Sequence, residues 1–247
     1  MRGLLAAELL KLRTTRARYA FVLVTVALTG ISVAGTIAAA ADSERGEPGW
    51  QLDLVSVAGW ANVVALMLGV TLVTTEWRHG TVTPAFLATP VRRRLLVAKA
   101  ATGTFAGGAL TILALAVVAA VALPWLWLLD VTLHLDGGTL ARAARLLLAG
   151  ALYGGFGAAA GILVHNQVAG IVGVILWILV VESLVVVLLG VLDVGGIADV
   201  LPGRALSALD GSIDDGLRPS VGALAAIAWI VGILALGVVR TERSDVT

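Results

Sequence analysis

Long apolar stretches alternate with short polar connections along the whole chain. The hydrocarbon core of a bilayer is about 30 Å thick, so a helix needs about 20 apolar residues to cross it. Six stretches of about that length carry at most one charge, and they cover residues 19–41, 54–75, 101–129, 146–164, 168–192 and 221–239. The pattern predicts an all-α integral membrane protein that forms a single transmembrane domain of six helices.

Two features set the boundaries within these stretches. Pro124 is expected to kink or end the third stretch, because proline cannot donate the helical hydrogen bond. The polar step His165-Asn166-Gln167 divides the fourth stretch from the fifth.

The first stretch also resembles a cleaved secretory signal, because arginines precede it and small residues end it. Its 23 residues exceed the roughly 7–15 of a signal core, which favours a membrane span.

Composition agrees with a membrane protein. The chain is 59% hydrophobic and 13% charged, whereas a soluble domain is roughly 45–50% apolar and about 25% charged. A net charge of +1 excludes a broadly basic nucleic-acid binder, and the absence of cysteine excludes disulfides and thiolate chemistry. The abundance of Ala, Val, Leu and Gly, with 15 Arg among the 17 basic residues, points to a bacterial source and hence to the plasma (inner) membrane.

Charge placement predicts the orientation. Twelve of the 17 basic residues lie in three alternate segments, namely 1–18, 76–100 and the residues after 239. Basic residues resist translocation, so these segments and both termini are expected in the cytoplasm. Asp and Glu dominate the first and last connections of the opposite side, 42–53 and 193–220.

Groups for catalysis or metal binding are scarce. His79, His134 and His165 fall in three different connections, and no phosphate-binding loop is present. The longest extramembrane segment has 28 residues, which is below the roughly 40 needed for an unassisted domain. We therefore expect no catalytic residues, no metal site and no cofactor on this chain.

Glu182 is the one charged residue inside a predicted span. Insertion scales assign an acidic residue at a helix centre a cost of roughly 2.5–3.5 kcal/mol, so its side chain should face protein or a wet cavity. It could line a substrate or proton path, or it could hold helices or protomers together.

The connection 76–100 is the most informative segment. Gly80 can adopt a positive φ and turn the chain, and Thr83-Pro84 favours the start of a short helix. Thr89-Pro90 would end that helix, whose apolar residues Ala85, Phe86, Leu87 and Ala88 would need a cover. The short helix either docks on a partner protein or lies along the membrane interface. The basic residues that follow it are typical membrane anchors: Arg92, Arg93, Arg94 and Lys99.

Two cytoplasmic segments resemble the permease subunit of type 2 ATP-binding-cassette exporters. The first is Glu8-Leu9-Leu10-Lys11-Leu12-Arg13, which is similar to the amphipathic elbow helix of that family, with Leu5, Leu9 and Leu12 on one side. The second contains Glu76, Arg78, Gly80, Thr81, Thr89, Pro90, Arg92 and Lys99 after two spans and before four.

The resemblance implies a fold and a partner. Residues 1–18 would be the elbow, anchored by Lys11 and Arg13, and residues 80–89 would be the coupling helix that inserts into an ATPase. The docking site would then comprise Glu76, Arg78, Gly80, Thr81, Pro84, Phe86, Leu87 and Pro90. Part of 193–220 would fold back into the outer face of the membrane.

The leading hypothesis is therefore a permease that pairs, as a homodimer or with a similar permease, and uses a separate ATPase that holds ATP and Mg²⁺. Its apolar spans favour a hydrophobic or amphipathic substrate such as a drug, lipid or peptide. Two alternatives stay open: a secondary transporter or channel that uses Glu182, and a membrane scaffold without transport activity.

Overall fold

A computed structural model describes residues 2–89, 91–192, 195–213 and 216–243, and within these ranges the regular structure is helical. The first six helices are α1 (Arg2–Thr14), α2 (Ala17–Ala39), α3 (Asp42–Arg45), α4 (Pro48–Ser56), α5 (Trp60–Arg78) and α6 (Val82–Ala88). The others are α7 (Arg92–Leu128), α8 (Gly137–Val164), α9 (Gln167–Leu176), α10 (Glu182–Val191), α11 (Pro202–Asp210) and α12 (Pro219–Arg243).

Six helical segments are long and apolar enough to cross a membrane. They are Ala17–Ala39, Pro48–Arg78, Arg92–Leu128, Gly137–Val164, Gln167–Val191 and Pro219–Arg243. Each contains most of one predicted stretch, so the six-span prediction is confirmed at the level of helices. Several are longer than predicted, because polar residues such as Lys99 and Arg145 mark the end of an apolar run but do not end a helix.

The proline and histidine features had different outcomes. Pro124 does not end α7, which continues to Leu128. The division at His165 is confirmed: its φ is +59°, a left-handed conformation that ends α8. Asn166 then caps α9 by accepting a hydrogen bond from the Ala169 amide at 3.0 Å.

Helices α5 and α8 form the centre of the bundle, with α7 packed against both. In α8, 72% of the most apolar part is buried, against 6% in the span Gln167–Val191. The central core contains Leu66, Leu68, Val70, Leu110, Leu152 and Phe156. Burial of these side chains fixes the positions of α5, α7 and α8, while α2, α9, α10 and α12 lie at the periphery.

Glycines let the central helices approach closely. A Cβ atom added at Gly154 would collide with the carbonyl oxygen of Gly103 in α7, and one at Gly157 would collide with that of Leu66 in α5. Small residues at such positions allow backbones to pack against each other, which is the usual basis of helix association in membranes.

Gly154→Ala is expected to lower the free energy of unfolding by about 1–3 kcal/mol, because the added methyl group overpacks the α7–α8 contact. Thermal unfolding of the purified chain in detergent measures this change. The control is Gly173→Ala in α9, where an added Cβ has no neighbour within 4 Å, so helix propensity alone should raise stability by up to about 1 kcal/mol. Equal effects of the two substitutions would contradict the close-packing explanation.

The described residues between α10 and α12 fold back toward the middle of the bundle. A 3₁₀ helix, Gly195–Val200, leads into α11, whose first turn reaches Glu182. Glu182 lies nine residues before the end of α10, or about 14 Å at 1.5 Å per residue. Trp229, ten residues into α12, donates from Nε1 to the carbonyl of Val200 at 2.7 Å.

Candidate functional site

The end of the bundle that carries α1, α6, His165 and the C-terminal part of α12 is called the basic end here. Its central feature is an ionic cluster of Glu8, Lys11, Glu76 and Lys99. Lys99 Nζ lies 2.9 Å from Glu8 Oε2 and 2.7 Å from Glu76 Oε1. Lys11 Nζ lies 2.7 Å from Glu8 Oε1 and 3.0 Å from Glu76 Oε1. Each lysine therefore bridges the same two carboxylates.

The ionic cluster joins three helices that are distant in sequence. Glu8 and Lys11 belong to α1, Glu76 to α5 and Lys99 to α7. The side chains of Lys99, Glu8 and Glu76 are only 2%, 8% and 12% exposed. Charges taken out of water in this way are tolerated only when they are paired and hydrogen-bonded, so the cluster fixes α1 across the ends of α5 and α7.

Lys11 is the exposed member of the ionic cluster, with 49% of its side chain accessible. Partial burial disfavours its charge, but hydrogen bonds to Glu8 and Glu76 outweigh burial and raise its pKa above 10.5. A raised lysine pKa contributes stability at all pH values below 10.5, and this contribution is lost only as pH rises through the higher folded-state value.

The packing face of α1 overlaps with the predicted apolar side and differs from it in one residue. Leu4 and Leu12 pack against the protein core and Glu8 is buried, whereas Leu9 is 36% exposed. Of the predicted apolar side, Leu12 packs inward and Leu5 is half-buried, so Leu9 alone lies off the packing face, where Glu8 is buried instead. The difference arises because Glu8 finds buried lysine partners on other helices, which hydrophobic periodicity within α1 does not reveal.

Gly80 turns the chain between α5 and α6. Its φ is +67°, as the sequence predicted, and a side chain there would be strained. The amide of Thr81 then donates to the carbonyl of Glu76 at 2.9 Å. Helix α6 begins at Val82 rather than after a Thr83 cap, so Pro84 lies in its first turn.

Helix α6 buries one face in the chain itself. Val82 is 5% exposed and Phe86 is 7% exposed. The ring of Phe86 meets that of Trp77 edge-on at 6.2 Å, and the guanidinium of Arg92 lies 5.3 Å from its centre. Phe86 was expected to contact a partner, but the structure uses it to attach α6 to the bundle.

The opposite face of α6 is free of contacts with the core. Leu87 is 80% exposed, and Thr81, Pro84 and Ala88 are also exposed. We call Thr81, Pro84, Leu87 and Ala88 the α6 edge. Pro90 of the predicted site lies outside the described residues.

The remaining basic residues of the predicted site have separate positions. Arg78 donates to Gln167 Oε1 at 3.3 Å, which links the end of α5 to the start of α9. Arg92 donates to the carbonyl of Thr241 in α12 at 2.9 Å. Arg13, Arg93 and Arg94 are exposed at the same end, so these arginines lie around the basic end, whereas the predicted anchors Lys11 and Lys99 belong to the ionic cluster.

The turn at His165 supports the base of α6. The imidazole stacks on Trp77 with ring centres 3.8 Å apart, and Nε2 lies 3.3 Å from Thr241 Oγ1. Burial and the nearby charge of Arg240 lower the pKa of His165. The side chain is thus held neutral near pH 7, as suits a packed ring.

Glu182 has a distinct environment outside the basic end. Its Oε1 accepts hydrogen bonds from Trp177 Nε1 at 3.0 Å and from the Gly203 amide at 2.7 Å, and its Oε2 accepts from the Arg204 amide at 3.1 Å. The residue is 3% exposed. Its carboxyl group therefore caps the start of α11, while a π-helical turn over Trp177–Val181 places Trp177 on the same side.

Sequence reasoning identified Glu76 and Lys99 but missed Glu8 as their partner. A signal was present, since Lys11 and Lys99 are the only lysines in a chain with 15 arginines. A compact ammonium can sit between two carboxylates where a planar guanidinium would need more room. Among the described residues, no group of three His, Asp or Glu could hold a metal ion.

Comparison of the chain with models of protein families finds no match, and comparison with curated proteins finds none either. The functional argument therefore rests on the residues and their contacts.

Proposed function

We propose that the chain is the transmembrane permease subunit of an ATP-binding-cassette exporter and that the α6 edge docks on a separate ATPase. The observation that carries this proposal is the division of α6 into a buried face, Val82 and Phe86, and a free edge centred on Leu87. Because α6 is fixed to the bundle on one face, a force that a partner applies to its free edge is transmitted to the bundle.

Contacts beneath α6 support this role. Phe86 belongs to a buried cluster with Leu95 and Leu96 of α7, Ala158 and Ile162 of α8, and flanking Leu234 and Val238 of α12. The ionic cluster ties α1 to the same region. A displacement of α6 would therefore reach three membrane-spanning helices through packed side chains, because close-packed cores transmit strain.

The proposal includes a second permease, as a homodimer or a heterodimer with a similar chain. The span Gln167–Val191 supports it, because only 6% of its most apolar part is buried, which leaves a long surface for lipid or another protomer. The basic end would face the cytoplasm of a bacterial cell, in accord with its arginines. A hydrophobic or amphipathic substrate suits the apolar spans, and ATP and Mg²⁺ would bind the partner ATPase.

The contacts of Glu182 do not favour the rival proposal of a proton-linked carrier. Both carboxyl oxygens are engaged by donors from Trp177, Gly203 and Arg204. A carboxyl group whose two oxygens already accept these hydrogen bonds is suited to holding α11 in place.

Leu87→Asp is expected to reduce recovery of an ATPase with the tagged chain by about tenfold or more. Burial of a leucine in an interface contributes about 1.5–3 kcal/mol, and 1.4 kcal/mol corresponds to a factor of ten in affinity. The measurement is affinity purification from native membranes, with nucleotide-binding proteins quantified by mass spectrometry.

Leu140→Asp provides the matched control, since Leu140 is 72% exposed at the start of α8, at the opposite end of the bundle. It should leave ATPase recovery unchanged. Phe86→Asp is unsuitable as the first test because it would unfold the attachment of α6. If wild-type chain recovers no ATPase, or if Leu87→Asp recovers as much as wild type, the docking proposal fails.

A further inference from the structure

We propose that the cavity between α1, α2 and α5 binds one anionic phospholipid, with its headgroup at the basic end and an acyl chain along α5. The cavity has a volume of 590 Å³, within the roughly 300–1,000 Å³ of small-molecule sites. Helix α1 lines it from Leu4 to Thr14, and Ala85 and Ala88 of α6 also line it. This inference requires no ATPase and goes beyond the proposed docking role.

The lining changes from polar to apolar along the cavity. Along α5 it extends from Glu76 to Leu68, which is about 12 Å at 1.5 Å per residue. Lys11 and Arg18 line the end near Glu76, while Phe21 and Leu72 line the deeper part. A molecule that fills this space must have a polar end and a long apolar part.

The charges at the polar end favour an anionic headgroup. Glu8 and Glu76 are already paired with Lys11 and Lys99, so the ionic cluster is close to neutral. Arg18 adds a positive charge: its guanidinium lies over the Tyr19 ring at 4.5 Å and donates to the Tyr19 hydroxyl at 2.6 Å. It forms no ion pair with any carboxylate in the part of the chain that the structure describes.

The wall hydroxyls disfavour a soluble, hydrogen-bonding ligand. Four of the six threonines in the lining, Thr14, Thr15, Thr71 and Thr75, donate to backbone carbonyls three or four residues earlier in the chain at 2.7–3.1 Å. What the cavity offers is an ionic end, on which Arg18 leaves one net positive charge, and an apolar trough beside α2, whose neighbouring Leu23 is 68% exposed on the surface that would meet lipid. Basic pockets between membrane helices typically bind anionic lipid headgroups, and a bilayer supplies them at the level where the spans end.

The test is photo-crosslinking of the purified chain, without ATPase, in phosphatidylcholine nanodiscs. Each preparation also contains one probe lipid with a diazirine on its acyl chain, and this probe is either phosphatidylglycerol or phosphatidylcholine. Crosslinked residues are mapped by mass spectrometry. We expect the phosphatidylglycerol probe to label the Phe21 and Leu72 region about fivefold more than the phosphatidylcholine probe. This ratio corresponds to the attraction between one basic residue and an anionic lipid.

Two pairs of variants assign the binding to this cavity. Leu72→Trp should fill the trough and abolish labelling, whereas Val63→Trp, on the 44% exposed side of α5, should not. Arg18→Gln should reduce phosphatidylglycerol labelling about fivefold, to the phosphatidylcholine level, whereas Arg16→Gln, exposed and outside the cavity, should have no effect. Thermal unfolding checks that each variant is folded.

Three results would overturn the proposal. They are labelling spread evenly over exposed residues such as Leu23 and Ile31, equal labelling by the two lipids, and equal effects of Arg16→Gln and Arg18→Gln, which would mean general surface attraction. Because no ATPase is present, failure here leaves the docking proposal untouched, and failure of Leu87→Asp leaves this one untouched.

Discussion

Lys99→Met is expected to lower the free energy of unfolding by about 3–5 kcal/mol, since it leaves Glu8 and Glu76 buried without their shared cation. The lysine side chain is 2% exposed and bridges carboxylates on two other helices. Its loss should also free α1, because Glu8 then keeps only the half-exposed Lys11 as a partner. Thermal unfolding in detergent measures the stability change.

Two controls separate charge pairing from packing. Lys11→Met removes the other lysine, which is 49% exposed, and should cost no more than about 1 kcal/mol, as is usual for exposed ion pairs. A triple variant, Lys99→Met with Glu8→Gln and Glu76→Gln, removes all the buried charge and should regain most of the lost stability. If the triple variant is no more stable than Lys99→Met, the loss comes from packing and the pairing argument is wrong.

The features that depend on local sequence could be predicted well. Six apolar helices follow from runs of uncharged residues, and the left-handed Gly80 and the break at His165 follow from local backbone chemistry. Each of these depends on residues close together in the chain. The length of an apolar run, or the φ that one glycine permits, can be judged without knowledge of the fold.

The features that depend on distant residues could not be predicted. Glu8 and Lys99 meet across 91 positions of sequence, and nothing in α1 alone distinguishes a buried glutamate from a solvated one. Phe86 looked like an exposed docking residue because its cover, Trp77 and α7, becomes visible only when the helices are packed. For the same reason, the docking site that we propose is the α6 edge around Leu87 and excludes Phe86.

Glu182→Leu is expected to lower the free energy of unfolding by about 3 kcal/mol, because three donors lose their acceptor and an unpaired buried donor costs about 1–3 kcal/mol. These donors are the indole of Trp177 and the amides of Gly203 and Arg204. The effect should be local, releasing α11 from the middle of the bundle. The chain has no native cysteine, so a cysteine introduced at Ala198, which is 2% exposed, can report the release through its rate of maleimide labelling.

A loss of about 3 kcal/mol in local stability corresponds to a rise in labelling rate of about a hundredfold. Glu182→Gln keeps one acceptor oxygen for Trp177 and Gly203, and we expect it to lose about 1 kcal/mol and to label only slightly faster than wild type. Ser183→Ala, the exposed neighbour, is the control and should behave like wild type.

A Glu182→Leu chain that labels at the wild-type rate would refute the role of Glu182 in holding α11. A Glu182→Gln chain that is stable but inactive in transport would instead assign the carboxyl group to a substrate or proton path, since the amide keeps an acceptor for Trp177 and Gly203 but cannot ionise.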